Sequence, residues 1–401
     1  MGLISLKPRI RFKGFTEAWE QRELWELTTW DKKFNEVEAY KQPKVIKYPY
    51  VLADVFNQIE DPNGDVRLLS TGTYIGYTTK EKAGSNLCHG EIVAIPWGGV
   101  ANIKYFCGYF VTADNRIATS NNRNILSNKY LHWWMESNIG KIQNTYRGAS
   151  IQHPSMNDVL SLIIQFPNIE EQARIAERLD SIDELVTLHQ RKHDKLVEIK
   201  KSLLEKMFPT SGESKPKIRF KGFDDAWEQR ELGQTVQITM GTSPNGSTYS
   251  DTPSEHILIQ GNADLVDGWV CPRVWTTQVT KKADAGDLIM SVRAPAGAMG
   301  KTAFNAVIGR GVAAIKGNEF IFQTLNKMDS DGYWKKLSAG STFESLNSDA
   351  IKTAEIKIPN IKEQKKIGDL LFSVDSLITL HQRKCEKLKN IKKSLLEKMF
   401  I

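Results

Sequence analysis

The sequence has little cysteine and no long hydrophobic run. Only four of its 401 residues are cysteine, and no two of them form a Cys-x-x-Cys pair. Paired cysteines are typical of structural zinc sites and disulfide frameworks, so we expect reduced thiols in a cytoplasmic protein. No apolar stretch approaches the roughly 20 residues of a membrane-spanning helix, and no secretory signal opens the sequence. These absences predict a cytoplasmic location and no membrane partner.

Motifs for common catalytic chemistry are also missing. The sequence contains no Gly-x-Gly-x-x-Gly, no His-Glu-x-x-His, no nucleophile elbow and no His/Cys cluster at metal-ligand spacing. The segment GAMGKT at Gly297 resembles the end of a phosphate-binding loop, but Pro295 stands where that loop needs its first glycine. Neither an Asn/Asp-Pro-Pro-Tyr methyltransferase motif nor a PD-ExK nuclease motif is evident. We predict a non-catalytic chain without its own metal or cofactor.

The charge balance favours a polyanionic partner. Lysine and arginine exceed aspartate and glutamate to give a net charge of +7, and the isoelectric point is about 9.0. A basic chain concentrates nucleic acid at its surface, but many basic proteins bind none. The charge is therefore consistent with DNA binding without deciding it.

Two segments of the sequence each occur twice. The letters IKKSLLEKMF occupy 199–208 and 391–400, an offset of 192 that also holds upstream. A second segment, PRIRFKGFTEAWEQREL from Pro8, returns as PKIRFKGFDDAWEQREL from Pro216. The segments between the copies hardly resemble each other. This A–x–B–A–y–B order predicts two modules that perform the same task on different targets.

The B segments have the pattern of long helices. Residues 170–208 contain neither glycine nor proline, and apolar residues recur at three- and four-residue steps along seams through Ile175 and Ile367. Asn168 and Asn360 are predicted N-caps, each with a glutamate three residues later that would complete a capping box. Each helix would be about 55 Å long. We expect the two to pair antiparallel as a spacer; the alternative is that each packs only on its own module.

Histidine and lysine on these helices raise the question of ligands. His189 and His381 lie on the seam, where we expect packed, hydrogen-bonded core residues rather than metal ligands. A lysine-rich helix face is usually solvated, but it can also carry a partner protein. The predicted partner-binding residues are Lys192, Lys195, Lys200, Lys384, Lys387 and Lys392.

These patterns divide the chain into five parts. A globular module at 1–167 precedes a helix at 168–208, and a second module at 218–359 precedes a helix at 360–401. Residues 209–217, PTSGESKPK, have the composition of a linker.

Both inserts have the character of compact α/β or α+β domains. Short β-branched runs alternate with turns that contain glycine, asparagine or proline. GEIVAIP at Gly90 parallels GDLIMSV at Gly286, and DNRIATS parallels GRGVAAI, which makes Arg116 and Arg310 predicted counterparts. RGAS at Arg147 likewise parallels AGST.

Loops of the inserts combine the side chains that read base edges in DNA. Arginine pairs with guanine, asparagine and glutamine with adenine, and the threonine methyl group with the thymine methyl group, although these residues dominate ordinary loops too. In the first insert the predicted DNA contacts are Thr71, Thr73, Tyr74, Gly98, Gly99, Asn102, Lys104, Arg116, Asn122, Arg123, Arg147 and Ser150. In the second insert they are Thr242, Ser243, Gln260, Asn262, Arg293, Lys301, Arg310, Ser341 and Thr342.

The whole sequence resembles the specificity (S) subunit of type I restriction-modification systems. The duplicated RFKGF…AWEQREL, the IPxIxEQxxI-type approach to each helix and the duplicated LHQRKxxKLxxIKKSLLEKMF carry the resemblance. It implies that each insert is a target recognition domain for one half of a split, asymmetric DNA site. It also implies an antiparallel coiled coil that sets the gap between the halves, with the domains about one helical turn of DNA apart.

The resemblance further implies partner proteins that carry the chemistry. Two modification subunits would bind S-adenosylmethionine and methylate a flipped-out adenine, and restriction subunits would cleave with ATP and Mg. This chain would supply sequence choice and no bond chemistry. Three alternatives stay open at this point: a DNA-binding regulator without methyltransferase partners, a protein scaffold built on the helices, and an enzyme with an unrecognised site.

Overall fold

The chain folds into two compact units. The computed structural model describes residues 7–210, 212–338 and 345–400. The first unit contains residues 1–188 and 385–401, and the second contains residues 189–384. Each unit therefore holds one insert, one A segment and a part of each long helix. No helix in the described ranges is long and apolar enough to cross a bilayer.

The first unit is built around one six-stranded mixed sheet. Its order is β2-β7-β5-β6-β3-β4, and β3 runs parallel to β6 while the other pairs are antiparallel. The strands are β1 Glu20–Glu23, β2 Thr28–Trp30, β3 Val66–Leu69, β4 Ile75–Thr78, β5 Cys88–Pro96, β6 Lys104–Thr112, β7 Asn115–Ser120, β8 Tyr146–Arg147, β9 His153–Pro154 and β10 Ile163–Phe166. The helices are α1 Leu24–Leu27, α2 Ala53–Ile59, α3 Lys80–Ala83, α4 Asn128–Ser137, α5 Ile139–Gln143 and α6 Met156–Leu160.

The second unit is built around two large sheets instead of one. Their orders are β12-β22-β19-β20-β16-β15 and β13-β17-β14-β21-β18. The strands are β11 Glu228–Glu231, β12 Ile238–Met240, β13 Tyr249–Ser250, β14 His256–Ile259, β15 Leu265–Val266, β16 Trp269–Val270, β17 Val274–Thr276, β18 Lys281–Ala283, β19 Leu288–Ser291, β20 Met299–Lys301, β21 Ala306–Ile308, β22 Val312–Ile315 and β23 Glu355–Ile358. The shorter helices are α8 Leu232–Thr235, α9 Glu319–Ser330, α10 Tyr333–Ser338 and α11 Ser348–Lys352.

Central strands explain the apolar runs in the sequence. The last five residues of β5, Ile92–Pro96, are all buried, as are all four residues of β19. A strand covered on both faces needs apolar residues at consecutive positions rather than at alternate ones. In each unit a capped helix follows the sheet strands: the Ser127 hydroxyl accepts from the Tyr130 N–H at α4, and the Asn318 amide oxygen accepts from the Ile321 N–H at α9. The predicted α/β (α+β) class is confirmed.

The A segments close each unit in the same way. Strand β1 pairs antiparallel with β10, and β11 with β23, so that each EQRE tetrapeptide ties the start of a module to its end. From here on, the first module is the segment 20–166 and the second module is the segment 228–358, each including the two strands that bound it.

A duplicated ion pair fixes the A segment to a helix. The Arg11 guanidinium donates to both Glu171 oxygens over 2.7 and 2.8 Å, and Arg219 donates to Glu363 over the same two distances. Asn168 caps its helix by accepting from the Glu171 N–H over 3.0 Å, as predicted. The glutamate half of the predicted capping box is wrong, because the carboxylate is used by the arginine.

The long helices are α7 Ile169–Met207 and α12 Ile361–Met399. Within the first unit, the start of α7 packs antiparallel on the end of α12: Lys392 pairs with Asp183, and the Cys385 thiol lies near the Val186 carbonyl. Phe400 then packs at 5.5 Å from the Tyr130 ring in the core of that unit. The alternative that each helix packs only on its own module is therefore wrong for this unit.

The second unit repeats this arrangement with the other helix ends. Lys200 of α7 pairs with Asp375 of α12 over 2.7 Å, and Phe208 stacks on Phe320 with 5.4 Å between ring centroids. His189 and His381 meet at the seam with their Nδ1 atoms 2.8 Å apart. The expected packed, hydrogen-bonded histidines are thus observed. Burial, aided by the charges of Lys192 and Lys384, lowers both histidine pKa values below 6.5.

Candidate nucleic-acid interfaces

Three loops of the first module lie side by side and hold many of the predicted contacts. They are Thr71–Tyr74, Gly98–Lys104 and Arg147–His153, which we call the first loop cluster. The Asn102 amide donates to the Thr71 carbonyl over 2.9 Å, which joins the first two loops. The Gly99 N–H donates to the Gln152 carbonyl over 2.9 Å, which joins the second and third. Thr71, Gly98, Gly99 and Asn102 therefore share one surface.

Lys104 gives this cluster a partly buried positive charge. Its ammonium group donates to the Thr71 carbonyl over 3.3 Å and to the Asn102 amide oxygen. Among the described residues it has no carboxylate partner, and burial lowers the pKa of Lys104 to about 8. A phosphate oxygen would supply the missing anion and raise that pKa. Lys104 therefore fits a phosphate contact.

The remaining predicted contacts of these loops are exposed. Thr73 and Ser150 face solvent. The Tyr74 hydroxyl donates to Glu60, and the Arg147 guanidinium, with a side chain 62% exposed, donates to Asp158 over 3.1 Å. Both side chains are accessible to a ligand, but each must leave an internal partner to bind it.

Sequence reasoning missed two glutamines in the same cluster. The Gln143 side-chain oxygen accepts from the Ala101 N–H over 2.7 Å. Its amide nitrogen donates to the Gln152 side-chain oxygen over 3.3 Å. Because glutamine reads adenine in the major groove, this pair adds base-reading groups to the loops. Its signal in the sequence was the placement of one glutamine on each side of RGAS.

Arg116 does not lie on the surface, contrary to the prediction. Its side chain is only 2% exposed, it donates to Asp114 over 2.8 Å, and its guanidinium lies 4.0 Å from the Trp97 ring centroid. Burial raises the pKa of the neighbouring Asp31 to about 6, and the Arg116 charge opposes part of that rise. Arg116 thus packs against Trp97 on the buried side of the loop that follows β5.

The predicted equivalence of Arg116 and Arg310 is also wrong. Arg116 pairs with Ile95 in the sheet, whereas Val312 pairs with Ser291. Since Ile95 and Ser291 correspond in the GEIVAIP/GDLIMSV alignment, the counterpart of Arg116 is Val312.

Asn122 and Arg123 lie away from the first loop cluster. The cluster sits near Asn115, whose amide donates to the Ser70 carbonyl over 3.2 Å. Both predicted residues follow the opposite end of β7, roughly 20 Å further along the strand. Arg123 there pairs with Glu91 over 2.9 Å. The structure does not bring these two residues to the candidate surface.

The second module has its own convergence of loops. The segments 241–243, 260–262 and 309–311 meet: the Arg310 N–H donates to the Ser243 hydroxyl over 3.1 Å, and the Gly309 N–H donates to the Ile259 carbonyl over 2.8 Å. We call this the second loop cluster. It places Thr242, Ser243, Gln260, Asn262 and Arg310 together, with the Arg310 side chain exposed.

Glycine is required where these loops cross. A Cβ atom on Gly311 would lie 2.0 Å from the Gln260 carbonyl oxygen, and one on Gly241 would lie 2.1 Å from the Gly309 oxygen. Such distances are far inside van der Waals contact. The absence of a side chain at Gly241 and Gly311 thus permits a close approach between loops.

Arg293 extends the second cluster. The Val292 N–H donates to the Gly311 carbonyl over 2.9 Å, which places the exposed Arg293 beside the 309–311 loop. Arg293 also forms an isolated β-bridge with Ser345. The predicted contacts Ser341 and Thr342 fall outside the described residues.

Lys301 occupies a different place from the one predicted. It lies on β20, with its side chain 12% exposed, and pairs with Glu319 over 2.8 Å. The rings of Trp269, Phe322 and Phe372 surround its ammonium group at 4.4 to 5.0 Å and line a groove of about 630 Å³. Because GAMGKT enters a strand, it does not form a phosphate-binding loop.

The helix lysines divide into two groups. Lys192, Lys195, Lys384 and Lys387 are exposed and available to a partner. Lys200 and Lys392 are instead engaged with Asp375 and Asp183 across the helix pair. These two lysines are separated by the repeat offset, and so are their partners; both hold helices together rather than offering free charge.

Within the described ranges, no group of three or more His, Cys, Asp or Glu residues is arranged to hold a metal ion. The two loop clusters offer amides, hydroxyls and backbone N–H groups beside a few cations. These groups suit hydrogen bonding and charge interactions with a polar ligand.

Comparison with known proteins identifies both modules. The family model for the type I restriction modification DNA specificity domain matches residues 16–198 and again residues 224–390. The chain belongs to this family. It contains two specificity domains, and the role of the family is DNA recognition rather than catalysis.

Individual relatives agree with the family model. The chain is 30% identical over 247 residues to a protein assigned as the MjaX type I restriction enzyme specificity subunit of Methanocaldococcus jannaschii, covering 59% of this chain and 57% of that protein. It is 21% identical to the MjaVIII specificity subunit of the same organism, covering 76% and 77%. The crystal structure of a type I S subunit from M. genitalium has the same fold, with a TM-score of 0.72, 16% identity and coverage of 98% and 99%.

Proposed function

We propose that the chain reads a split, asymmetric DNA site, with the first loop cluster on one half and the second on the other. The observation that carries this proposal is that one duplicated frame, the A segment with its ion pair to a long helix, holds two unlike modules. The Arg11–Glu171 and Arg219–Glu363 pairs have the same geometry, whereas one insert is built around one six-stranded sheet and the other around a six-stranded and a five-stranded sheet. Unlike half-sites need unlike readers, and equal frames present them in equivalent ways.

We further propose that the chain assembles with two modification subunits and with restriction subunits. The exposed lysines support two equivalent docking surfaces, because Lys192 and Lys195 recur as Lys384 and Lys387 at the repeat offset. S-adenosylmethionine would bind to the modification subunits, and ATP with Mg to the restriction subunits. Adenine methylation and cleavage would then occur on those partners, directed by the sequence that this chain selects.

The decisive experiment maps methylation. The chain is expressed with its neighbouring modification subunit in a host free of DNA methylation, and N6-methyladenine is located across the genome. We expect one split motif with two unlike halves. A stable complex without new methylation would instead favour a DNA-binding regulator or a scaffold.

A domain exchange assigns the halves. Residues 1–165 are replaced by the corresponding segment of another family member, which leaves the second module intact. Only one half of the motif should change. A change in both halves would contradict separate reading by the two modules.

A further inference from the structure

Two aliphatic side chains project from the first loop cluster into solvent. Val100 is 77% exposed and Ile151 is 62% exposed, and they come from different loops. We call these two side chains the apolar tip. Side chains exposed to this degree bury little apolar area in the core and remain available to a ligand.

The backbone holds the apolar tip in place. The Gly99–Gln152 hydrogen bond joins the residue before Val100 to the residue after Ile151, and the Gln143 side-chain oxygen accepts from the Ala101 N–H just beyond Val100. A Cβ on Gly98 would lie 3.1 Å from the Ile151 methyl carbon, so the Ile151 side chain rests against that glycine. The two loops are thus ordered before a ligand arrives, which lowers the entropy cost of binding.

The surroundings of the tip fit DNA. Gln143, Gln152 and Asn102 supply amides, while Lys104 has no carboxylate partner among the described residues. A basic, amide-rich rim is complementary to phosphates and base edges. The tip is continuous with this rim, so an occupant of the rim also covers the tip.

The thymine 5-methyl group is the apolar feature that the major groove offers. We propose that Val100 and Ile151 contact a thymine methyl group in the half-site read by the first module. The proposal rests on the proposed function, since it assumes that the first loop cluster meets DNA. It adds two residues that determine sequence preference, and it names the thymine methyl group as the feature that they contact.

The test measures binding of the full chain with its modification subunit to duplexes in which each thymine of that half-site is replaced by deoxyuridine. At one position, loss of the methyl group should weaken binding by the wild-type complex about 4-fold, the effect of exposing one buried methyl-sized group. In the V100A/I151A complex the same replacement should have no effect. The V266A complex, which loses an exposed valine of the second module, should keep the wild-type sensitivity.

The outcomes separate this proposal from the proposed function. Specific binding with no position whose methyl dependence is lost in V100A/I151A would overturn the thymine contact alone. Loss of modification-subunit binding in V100A/I151A would also overturn it, because the tip would then be a protein interface. Absence of any sequence-specific binding by the wild-type complex would overturn the proposed function itself. The V100A/I151A chain should keep the wild-type unfolding midpoint in urea, so that a lost methyl dependence reflects the contact rather than folding; a lowered midpoint would overturn the proposal, because the two side chains would then serve stability.

Discussion

The two modules place Arg116 and Arg310, which look alike in the sequence, in opposite environments. In the first, Arg116 is buried beneath the Trp97 loop, and the surface above it carries amides and the apolar tip. In the second, Arg293 and Arg310 are exposed beside loops that cross at glycines. The frame around both modules is nevertheless the same down to the length of its ion pairs. The repeated frame therefore fixes the position of each module, and the insert determines which sequence that module recognises.

Breaking the ion pair of the frame should lower the stability of both units by a similar amount. Arg11→Ala and Arg219→Ala each leave a glutamate that is completely buried without its cation. We expect each substitution to lower the free energy of unfolding by about 3–4 kcal/mol, measured by urea denaturation. Equal effects would support the equivalence of the two frames.

A duplicated exposed pair provides the control. Arg22 pairs with Glu20, and Arg230 with Glu228, with all four side chains at least 40% exposed. Arg22→Ala and Arg230→Ala should each change the free energy of unfolding by less than about 0.5 kcal/mol. A loss as large as that of Arg11→Ala would mean that position in the A segment, rather than burial, sets the cost.

The arginines of the inserts should show opposite effects. Arg116→Ala removes a buried side chain stacked on Trp97 and should lower the free energy of unfolding by about 2–3 kcal/mol. Arg310→Ala removes an exposed side chain and should leave stability within about 0.5 kcal/mol. It should weaken DNA binding by the assembled complex about 10-fold, measured by fluorescence anisotropy. Unchanged DNA affinity in the Arg310 variant would remove that residue from the interface.

The glycine crossing of the second module should tolerate no side chain. Gly311→Ala places a methyl group against the Gln260 carbonyl, and we expect it to lower the free energy of unfolding by about 2 kcal/mol. Gly261→Ala is the matched control, since its Cβ would meet no atom within 4 Å. In the methylation assay, Gly311→Ala should relax the sequence requirement of the half-site read by the second module and of no other. Equal stability losses in both variants would show that the loops shift to make room.

The frame could be predicted from the sequence better than the readers could. The absence of glycine and proline from residues 170–208 predicted the first long helix, and the repeat predicted that the second copy behaves alike. The burial of Arg116 depends on Trp97, which the loop after β5 supplies, so no local pattern signals it. Lys200 and Lys392 looked like free helix lysines because their aspartate partners are set by the register between helices. The apolar tip was missed because aliphatic residues in a loop are not typical base readers.

The smallest effect concerns His189 and His381, equivalent residues of the two repeats that touch each other. An Nδ1–Nδ1 distance of 2.8 Å requires one proton between His189 and His381, because two protonated rings would point hydrogen atoms at each other. The pKa of each lies below its usual 6.5, so the folded state binds fewer protons than the unfolded state as the pH falls. This contribution to stability is present above about pH 6.5 and is lost below it.

We expect thermal unfolding followed by helical circular dichroism to show a loss of about 1 kcal/mol, the net value of one hydrogen bond, between pH 7.5 and pH 5. The H189Q/H381Q variant replaces both imidazoles with amides that can pair without titrating, and its stability should change less over that range. His193, which pairs with Asp194 on the same helix, serves as the control: H193Q should keep the wild-type pH dependence. If H193Q loses that dependence and H189Q/H381Q keeps it, the titrating group lies outside the seam, and the contact between the repeats is structural without being sensitive to protons.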